Sequence, residues 1–278
     1  MQSLSDVSET ALLTLRGRVI ETQAPNPVIH DAMGLELLRR LEAQLPPEAR
    51  SQVLKRKLPL TLTRYAALRA RKYDEYTRRF VADNPQGLVV NLGCGFDTRY
   101  WRVSETPWRY VELDLPNVIA AKQRLLPDAP YPMIGGSVLE ESWIETIRAM
   151  QSEAVLFLAE GLFMYLPPDA VRQTFGRMAA GFSQSQIVFE VVDKRYTAGV
   201  WKKMVEGKMQ RRLGSPAGSS YQFGLRDAQE LESYAPNLTV MEEWSYMEDP
   251  DIKPRIFALL RHVKLLARTQ WTIQARIG

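Results

Sequence analysis

The chain has 278 residues, with 36 Lys and Arg against 32 Asp and Glu for a net charge of +4, and it is 45% apolar and 24% charged. That balance excludes a disordered chain, a fibre and a coiled coil, and the length is ample for a sizeable core. One cysteine, Cys94, and two histidines, His30 and His262, exclude an internal disulfide framework and a metal centre built from Cys or His, so no metal is expected. There is no run of like charges to make a nucleic-acid arm and no apolar stretch near 18 residues. The opening MQSLSDVSET is not a leader pattern. The expectation is a soluble, cytoplasmic protein that binds neither nucleic acid nor membrane; its oligomeric state is left open.

Residues 1–84 read as helical. Asp6 and Ser8 suit caps before Ala11, Leu12, Leu13 and Leu15. Residues 33–45 place Leu35, Leu37, Leu38 and Leu41 at helical spacing and stop at Pro46-Pro47. Residues 62–81 form a longer helix with Tyr65, Leu68, Tyr73, Tyr76 and Phe80 on one side and arginines on the rest. Asn84-Pro85-Gln86-Gly87 ends it. From residue 85 the pattern becomes α/β. Strands are expected at 88–92, 109–113, 131–134, 154–159, 186–192, 238–241 and 272–277. Helices are expected at 117–126, 142–150, 168–182 and 225–234. Alternation at this spacing predicts a doubly wound, mostly parallel sheet covered on both faces. The polar segment 195–223, with its five Lys and Arg between 202 and 212 and its GSPAGSS end, breaks the alternation and reads as an inserted flap.

The sharpest local signal is VVNLGCGFDTR, residues 89–99. An apolar strand runs into Gly93-Cys94-Gly95, where glycines let a backbone approach a ligand. The next strand ends at Asp114, placed to accept hydrogen bonds from a ribose diol. A nicotinamide or flavin pyrophosphate would want a third glycine, yet Thr98 stands there and Asp97 adds a negative charge. S-adenosylmethionine has no phosphate; it carries a sulfonium, an ammonium, a carboxylate and a ribose diol. Acids for its cations, arginines for its carboxylate and Asp114 for its ribose tip the choice to this methyl donor over a nucleotide-dependent oxidoreductase. Cys94 reads as a small space-filler, and Trp101, Trp143 and Trp244 as core.

NLGCGFDTRYWR (91–102), YVELDLPNVIAAKQRLL (110–126) and FLAEGLFMYLPPDAV (157–171) resemble the leucine carboxyl methyltransferase family, S-adenosylmethionine-dependent O-methyltransferases with a tetracenomycin-type polyketide branch. The likeness is strong from 64 to 171, looser over 18–34 and at the end, and finds no match in the flap. It implies a Rossmann-like class I methyltransferase spanning 1–278 as one domain. The sheet would have seven strands, the last antiparallel; the helical segment 1–84 would close over the cofactor and the 195–223 flap over the acceptor. By this resemblance the glycine loop falls on Gly93, Cys94 and Gly95, with Asp97 beside it, and the ribose acid on Asp114. The arginine for the methionine carboxylate falls on Arg64, with Arg69 next in line and Arg16 or Arg18 sharing the role. The acid and leucine that meet the adenine are replaced by Ser137 and Val138, a departure from the family. Glu160 falls on the acid that faces the methionine half of the cofactor, and Phe163 and Tyr165 are candidate acceptor contacts.

The family implies transfer of the sulfonium methyl to oxygen, with a carboxylate of a small acidic or polyketide-type molecule as the expected acceptor. A carboxylate is already ionised at neutral pH and needs no general base, which suits a chain with so few histidines. Hydroxyl methylation of a secondary metabolite and non-catalytic binding of S-adenosylmethionine remain the alternatives.

Overall fold

The computed structural model describes residues 9–45, 58–213, 220–256 and 267–277; Asp6, Ser8 and His262 lie outside them. Three helices come first: α1 (Glu9–Thr22), α2 (Ala32–Gln44) and α3 (Leu60–Asp83). The α/β region follows as β1 (Leu88–Leu92), α4 (Arg99–Val103), β2 (Arg109–Asp114), α5 (Pro116–Leu125), β3 (Met133–Gly135), α6 (Ser142–Ala149), β4 (Val155–Ala159), α7 (Pro168–Gly181), β5 (Ser185–Val192), α8 (Gly199–Leu213), β6 (Leu238–Trp244) and β7 (Gln270–Ile277).

The seven strands form one sheet in the order β3-β2-β1-β4-β5-β7-β6. β1 to β5 are parallel, and β7 runs antiparallel between β5 and β6. This is the doubly wound arrangement that the alternation predicts. β1 and β4 are apolar at almost every position because helices cover both of their faces. On one face Tyr73, Tyr76 and Phe80 of α3 pack on Val89, Leu156, Leu158 and Val188. On the other, Trp143 of α6 and Phe175 of α7 pack on Val90, Phe157, Ile187 and Phe189. A separate apolar cluster joins Leu12 and Leu15 of α1 and Leu37 and Leu41 of α2 to Phe96 and to Leu125 of α5. The N-terminal helices are thereby held against the carboxyl edge of the sheet, where the strand order reverses between β1 and β4 and where open α/β sheets bind their ligands.

Three expectations need correction. Residues 225–234 do not form an α-helix. Asp227 accepts from the Glu230 amide and starts a short 3-10 turn, Ala228–Ser233, with Pro236 close behind and no room for a longer helix before β6. Most of the flap is the helix α8, hidden in sequence because it lacks a clear apolar stripe. The short helix α4 is absent from the elements expected from sequence; it opens directly from the glycine loop.

Candidate functional site

The loop after β1 is shaped by its glycines. Gly93 and Gly95 have φ of +63° and +49°, which a side chain would adopt only under strain. A Cβ on Gly93 would also meet Leu162 at 2.9 Å, and one on Gly95 would meet Ala11 of α1 at 3.1 Å. The loop turns across the end of β2: the Gly93 amide donates to the Leu113 carbonyl (2.8 Å) and the Gly95 amide to Asp114 Oδ2 (2.7 Å). The Leu115 amide donates to Asp114 Oδ1 (2.7 Å). Burial pushes the Asp114 carboxyl up, against the pull of these two amides. The carboxylate is half-buried, and an ionised carboxylate has acceptor capacity beyond two hydrogen bonds.

β3 lies beside this corner, with Gly135 in register with Asp114. Ser137 and Val138 follow. The Ser137 hydroxyl accepts from the Leu139 amide (3.2 Å), and the Val138 carbonyl accepts from Trp143 Nε1 (3.0 Å). Ser137 is thus committed to its own turn, and Val138 is buried in the core. Glu140, which sequence reasoning passes over, turns its carboxylate to within 3.6 Å of where a Cβ on Gly136 would lie.

The other corner, at the ends of β4 and β5, is built from charge. Glu160 follows β4 and accepts from Arg69 Nε (2.8 Å) and Arg99 Nη2 (2.7 Å). Arg69 also donates Nη1 to Glu190 of β5 (2.8 Å), and the Tyr65 hydroxyl donates to the other oxygen of Glu190. Ala159 and Phe189 are in register, so Glu160 and Glu190 come next to each other across the strand ends. A Cβ on Gly161 would lie 3.5 Å from Glu190 and 3.6 Å from Arg69. From here a ladder of ion pairs, 2.7 to 3.2 Å long, runs inward. Arg99 pairs with Asp74 and Asp97, Arg102 with Asp74, Asp97 and Asp31, and Arg18 with Asp31. Arg18 also donates to the Phe96 carbonyl (2.8 Å), which ties α1 to the glycine loop.

The charges set one another's ionisation. Burial works against the Glu160 carboxylate, but Arg69 and Arg99 outweigh it and hold the carboxyl below its ordinary range. Asp97 follows the same logic with Arg99 and Arg102. At Glu190 burial wins over Arg69 and Tyr65, and the carboxyl is pushed up.

Several sequence expectations change in this frame. Arg64, expected first for the methionine carboxylate, pairs with Glu21 of α1 (2.8 Å), and Arg69, expected next in line, is the one that pairs with Glu160. Five residues are about 1.4 helical turns, so the two side chains leave α3 in different directions, and Arg69 is the one turned to Glu160 and Glu190. Arg16 is buried on α1, and Arg18 donates to the Phe96 carbonyl of the loop. Asp97 does not stand free to meet a cationic ligand; Asn91 Nδ2 (2.9 Å) and two guanidiniums already use it. Phe163 is core, 0% exposed against Phe175 and Phe189. Tyr165 is half-buried against Tyr221, its hydroxyl pushed up to about 12 by burial and then by Glu190. His30 is exposed. Sequence reading misses Glu190, although an acid inside the apolar run QIVFEVV is its signal.

A family model described as leucine carboxyl methyltransferase matches residues 11–179. The chain belongs to the leucine carboxyl methyltransferase family. It is 32% identical to the tetracenomycin polyketide synthesis O-methyltransferase TcmP of Streptomyces glaucescens, over 89% of this chain and 86% of that one. It is 26% identical to the S-adenosyl-L-methionine-dependent methyltransferase dpfgK of Gibberella zeae, over 89% and 85%. Among solved structures, a DUF574 family protein of Streptomyces avermitilis superposes with a TM-score of 0.60 at 12% identity, covering 98% of both chains. An S-adenosylmethionine-dependent methyltransferase of Anabaena variabilis gives 0.53 at 12% identity, covering 82% and 91%. This family member is an S-adenosylmethionine-dependent methyltransferase with the class I fold. No helix among the described residues is long and apolar enough to cross a membrane.

The residues at the edge fit that donor by their chemistry. Asp114 offers an acceptor to the ribose diol, and Arg69 with Glu160 offers a cation and an anion, side by side, to an amino-acid zwitterion.

Proposed function

We infer that the protein transfers the methyl group of S-adenosylmethionine to a carboxylate oxygen of a small acidic molecule of polyketide type, giving a methyl ester. The donor supplies an electrophilic methyl on a cationic sulfur. Asp114 would hold its ribose, the loop from Gly93 to Gly95 its middle, Arg69 its carboxylate and Glu160 its ammonium. Ser137 and Val138 would meet the adenine through their backbone. The helices α1 and α3 would close over the donor, and the 195–223 segment over the acceptor. Tyr196 and Tyr221, at the two ends of that segment, pack with Met164 and Val192 next to Tyr165, which supports this placement.

The observation that supports the choice of a carboxylate is the lining of this corner: Tyr165 packs on Tyr221 and Tyr65 on Tyr246, the Tyr65 hydroxyl donates to Glu190, and Glu160 is already paired with two guanidiniums. Burial, and after it the Glu190 charge, raises the hydroxyls of Tyr65, Tyr165 and Tyr246; at Tyr221 burial is followed by Tyr165 and then Glu190. They keep their protons at neutral pH and serve as donors, not bases. His30 is exposed, and Asp97 and Glu160 are held ionised by guanidiniums, which makes them weak bases. An acceptor with a pKa near 4 arrives ionised and asks only for alignment and exclusion of water. The aromatic rim also suits a flat, partly apolar acceptor. A screen of carboxylic and phenolic acceptors with labelled donor tests this: the expected product releases methanol in mild alkali. An alkali-stable methyl ether would move the enzyme to hydroxyl methylation, and donor binding without turnover of any acceptor would make it a binding protein.

A further inference from the structure

The ladder of ion pairs contains five carboxylates, Asp31, Asp74, Asp97, Glu160 and Glu190, and four guanidiniums, from Arg18, Arg69, Arg99 and Arg102. Among these nine groups, all ionised, the carboxylates outnumber the guanidiniums by one. S-adenosylmethionine has a net charge of +1, and the thioether it leaves behind is neutral overall. At the end of the ladder by β4 and β5, Arg69 is shared between two carboxylates, Glu160 and Glu190.

We propose that Glu190 is a positioning residue for that half: it anchors Arg69 from the β5 side while Glu160 changes partner, and its charge favours the cationic donor over the neutral thioether product. The proposal rests on reading this edge as the donor site. The geometry supports it in three ways. Arg69 bridges Glu160 and Glu190 through two different nitrogens, each at 2.8 Å, so it can release one carboxylate without losing the other. The Arg69–Glu160 pair matches an amino-acid zwitterion charge for charge, so a ligand ammonium can take Glu160 while a ligand carboxylate takes the freed edge of Arg69. Glu190 is 1% exposed and its second oxygen is fixed by the Tyr65 hydroxyl, so it is the member of the three held in place.

Proton balance follows. The groups facing Glu190 are Arg69, Tyr65 and Tyr73 from α3, Glu160 from the end of β4, Gln270 from β7, and Tyr165, Tyr221 and Tyr246 from the surrounding turns. The tyrosines stay neutral, so Arg69 and Glu160 are the charged groups among these. Burial favours a proton on Glu190 in the empty protein. The incoming donor brings a positive charge, favours the ionised form and drives that proton into the buffer. The neutral product brings no net charge and releases less. Donor affinity therefore rises with pH through the window in which Glu190 titrates and is flat above it.

The test is calorimetric titration of the full chain with S-adenosylmethionine and with S-adenosylhomocysteine, in two buffers of different ionisation enthalpy, for wild type, Glu190→Gln and Tyr65→Phe. Wild type is expected to release a larger fraction of a proton with the donor than with the product. In Glu190→Gln that difference disappears, and the donor-to-product affinity ratio falls about tenfold, the scale of one charge acting across several ångströms of protein. Tyr65→Phe removes a hydrogen bond that favours the ionised carboxylate, so proton release moves to higher pH; this variant carries the test if Glu190→Gln does not fold. An unchanged ratio and unchanged proton release in Glu190→Gln, or an unshifted window in Tyr65→Phe, overturns the proposal. Asp114→Ala is the control for the site itself. If it leaves donor affinity intact, or wild type binds neither ligand, the donor-site reading fails and this inference falls with it.

Discussion

The two corners of the carboxyl edge are built in opposite ways. At the ends of β1 and β2 the candidate ligand groups are backbone amides, glycines and one half-buried carboxylate, Asp114, which accepts from two of those amides. At the ends of β4 and β5 they are buried side-chain charges, each paired with at least one other. The nucleoside half of the donor carries no charge and can be read by hydrogen bonds from a rigid loop. The amino-acid half carries both signs, and a buried charge is tolerated only where counter-charges are already in place. In the proposed reading the ladder would meet the second demand; it reaches back through α4 to Arg18 of α1 and Asp31 at the start of α2, and so adds ion pairs to the apolar contacts that hold the N-terminal helices.

The most severe way to break the charged corner is Arg99→Ala. Arg99 is fully buried and pairs with Asp74, Asp97 and Glu160. Its loss takes one of two guanidinium partners from each of three buried carboxylates, leaving Arg102 to Asp74 and Asp97 and Arg69 to Glu160, and is expected to cost about 3–5 kcal/mol of stability, read by chemical denaturation. A cost below about 1 kcal/mol would mean that the ladder is solvated and the contrast between the corners is false.

The pair Arg69→Ala and Arg64→Ala sharpens the comparison at the level of binding. Arg69→Ala is expected to weaken donor binding by about 2–4 kcal/mol, because a ligand carboxylate is left unpaired. Arg64→Ala, which breaks a contact with Glu21, should lower stability but change donor affinity little. Calorimetric titration of both variants decides it; the reverse order would return the role to Arg64.

These two arginines mark where sequence reading stops. The sheet is legible because buried parallel strands are short apolar runs, as in LVVNL and VLFLA. The glycine loop and Asp114 are legible because they lie close together in the chain, Gly95 and Asp114 being 19 residues apart, and their roles are backbone roles. Arg64 and Arg69 lie on one helix, and only the tertiary docking of α3 says which faces the strand ends. The ladder joins residues as far apart as Arg69 and Glu190, or Asp31 and Arg102, and no local pattern announces such pairs. Glu190 alone carries a local sign, an acid in an otherwise apolar strand.

Acid should loosen the far end of the ladder. Burial disfavours the charge on Asp31, yet Arg102 and Arg18 lower its carboxyl from 3.8 to about 2. A depressed carboxyl stabilises the fold fully above its unfolded value, and that contribution is lost as pH falls through about 2. The shift corresponds to about 2 kcal/mol. The stability difference between wild type and Asp31→Asn, followed by denaturant titration from pH 5 to pH 2, should shrink by about that amount. A difference independent of pH would show that the Asp31 carboxyl is not held down by its arginines.

At the neutral corner the effects should be smaller and confined to binding. Asp114→Ala is expected to lower donor affinity about tenfold or more, from the loss of hydrogen bonds to a charged acceptor at roughly 1.5–3 kcal/mol each. The fold should survive, since the carboxylate is half-buried and the bonds it anchors are to the Gly95 and Leu115 amides at the surface of the sheet edge. The smallest effect belongs to Ser137. Its hydroxyl is already engaged with the Leu139 amide in a local turn, and the loop is held independently by the Gly136 amide on the Asp114 carbonyl (2.9 Å) and the Glu140 amide on the Ser137 carbonyl (3.0 Å). Ser137→Ala removes one weak local bond, and the backbone amides and carbonyls that could meet a base stay where they are. Donor affinity should therefore change by less than about threefold, within the roughly 0.5–1.5 kcal/mol of a typical neutral hydrogen bond. A tenfold loss would place the serine side chain on the base and make this corner one that reads its ligand with side chains after all.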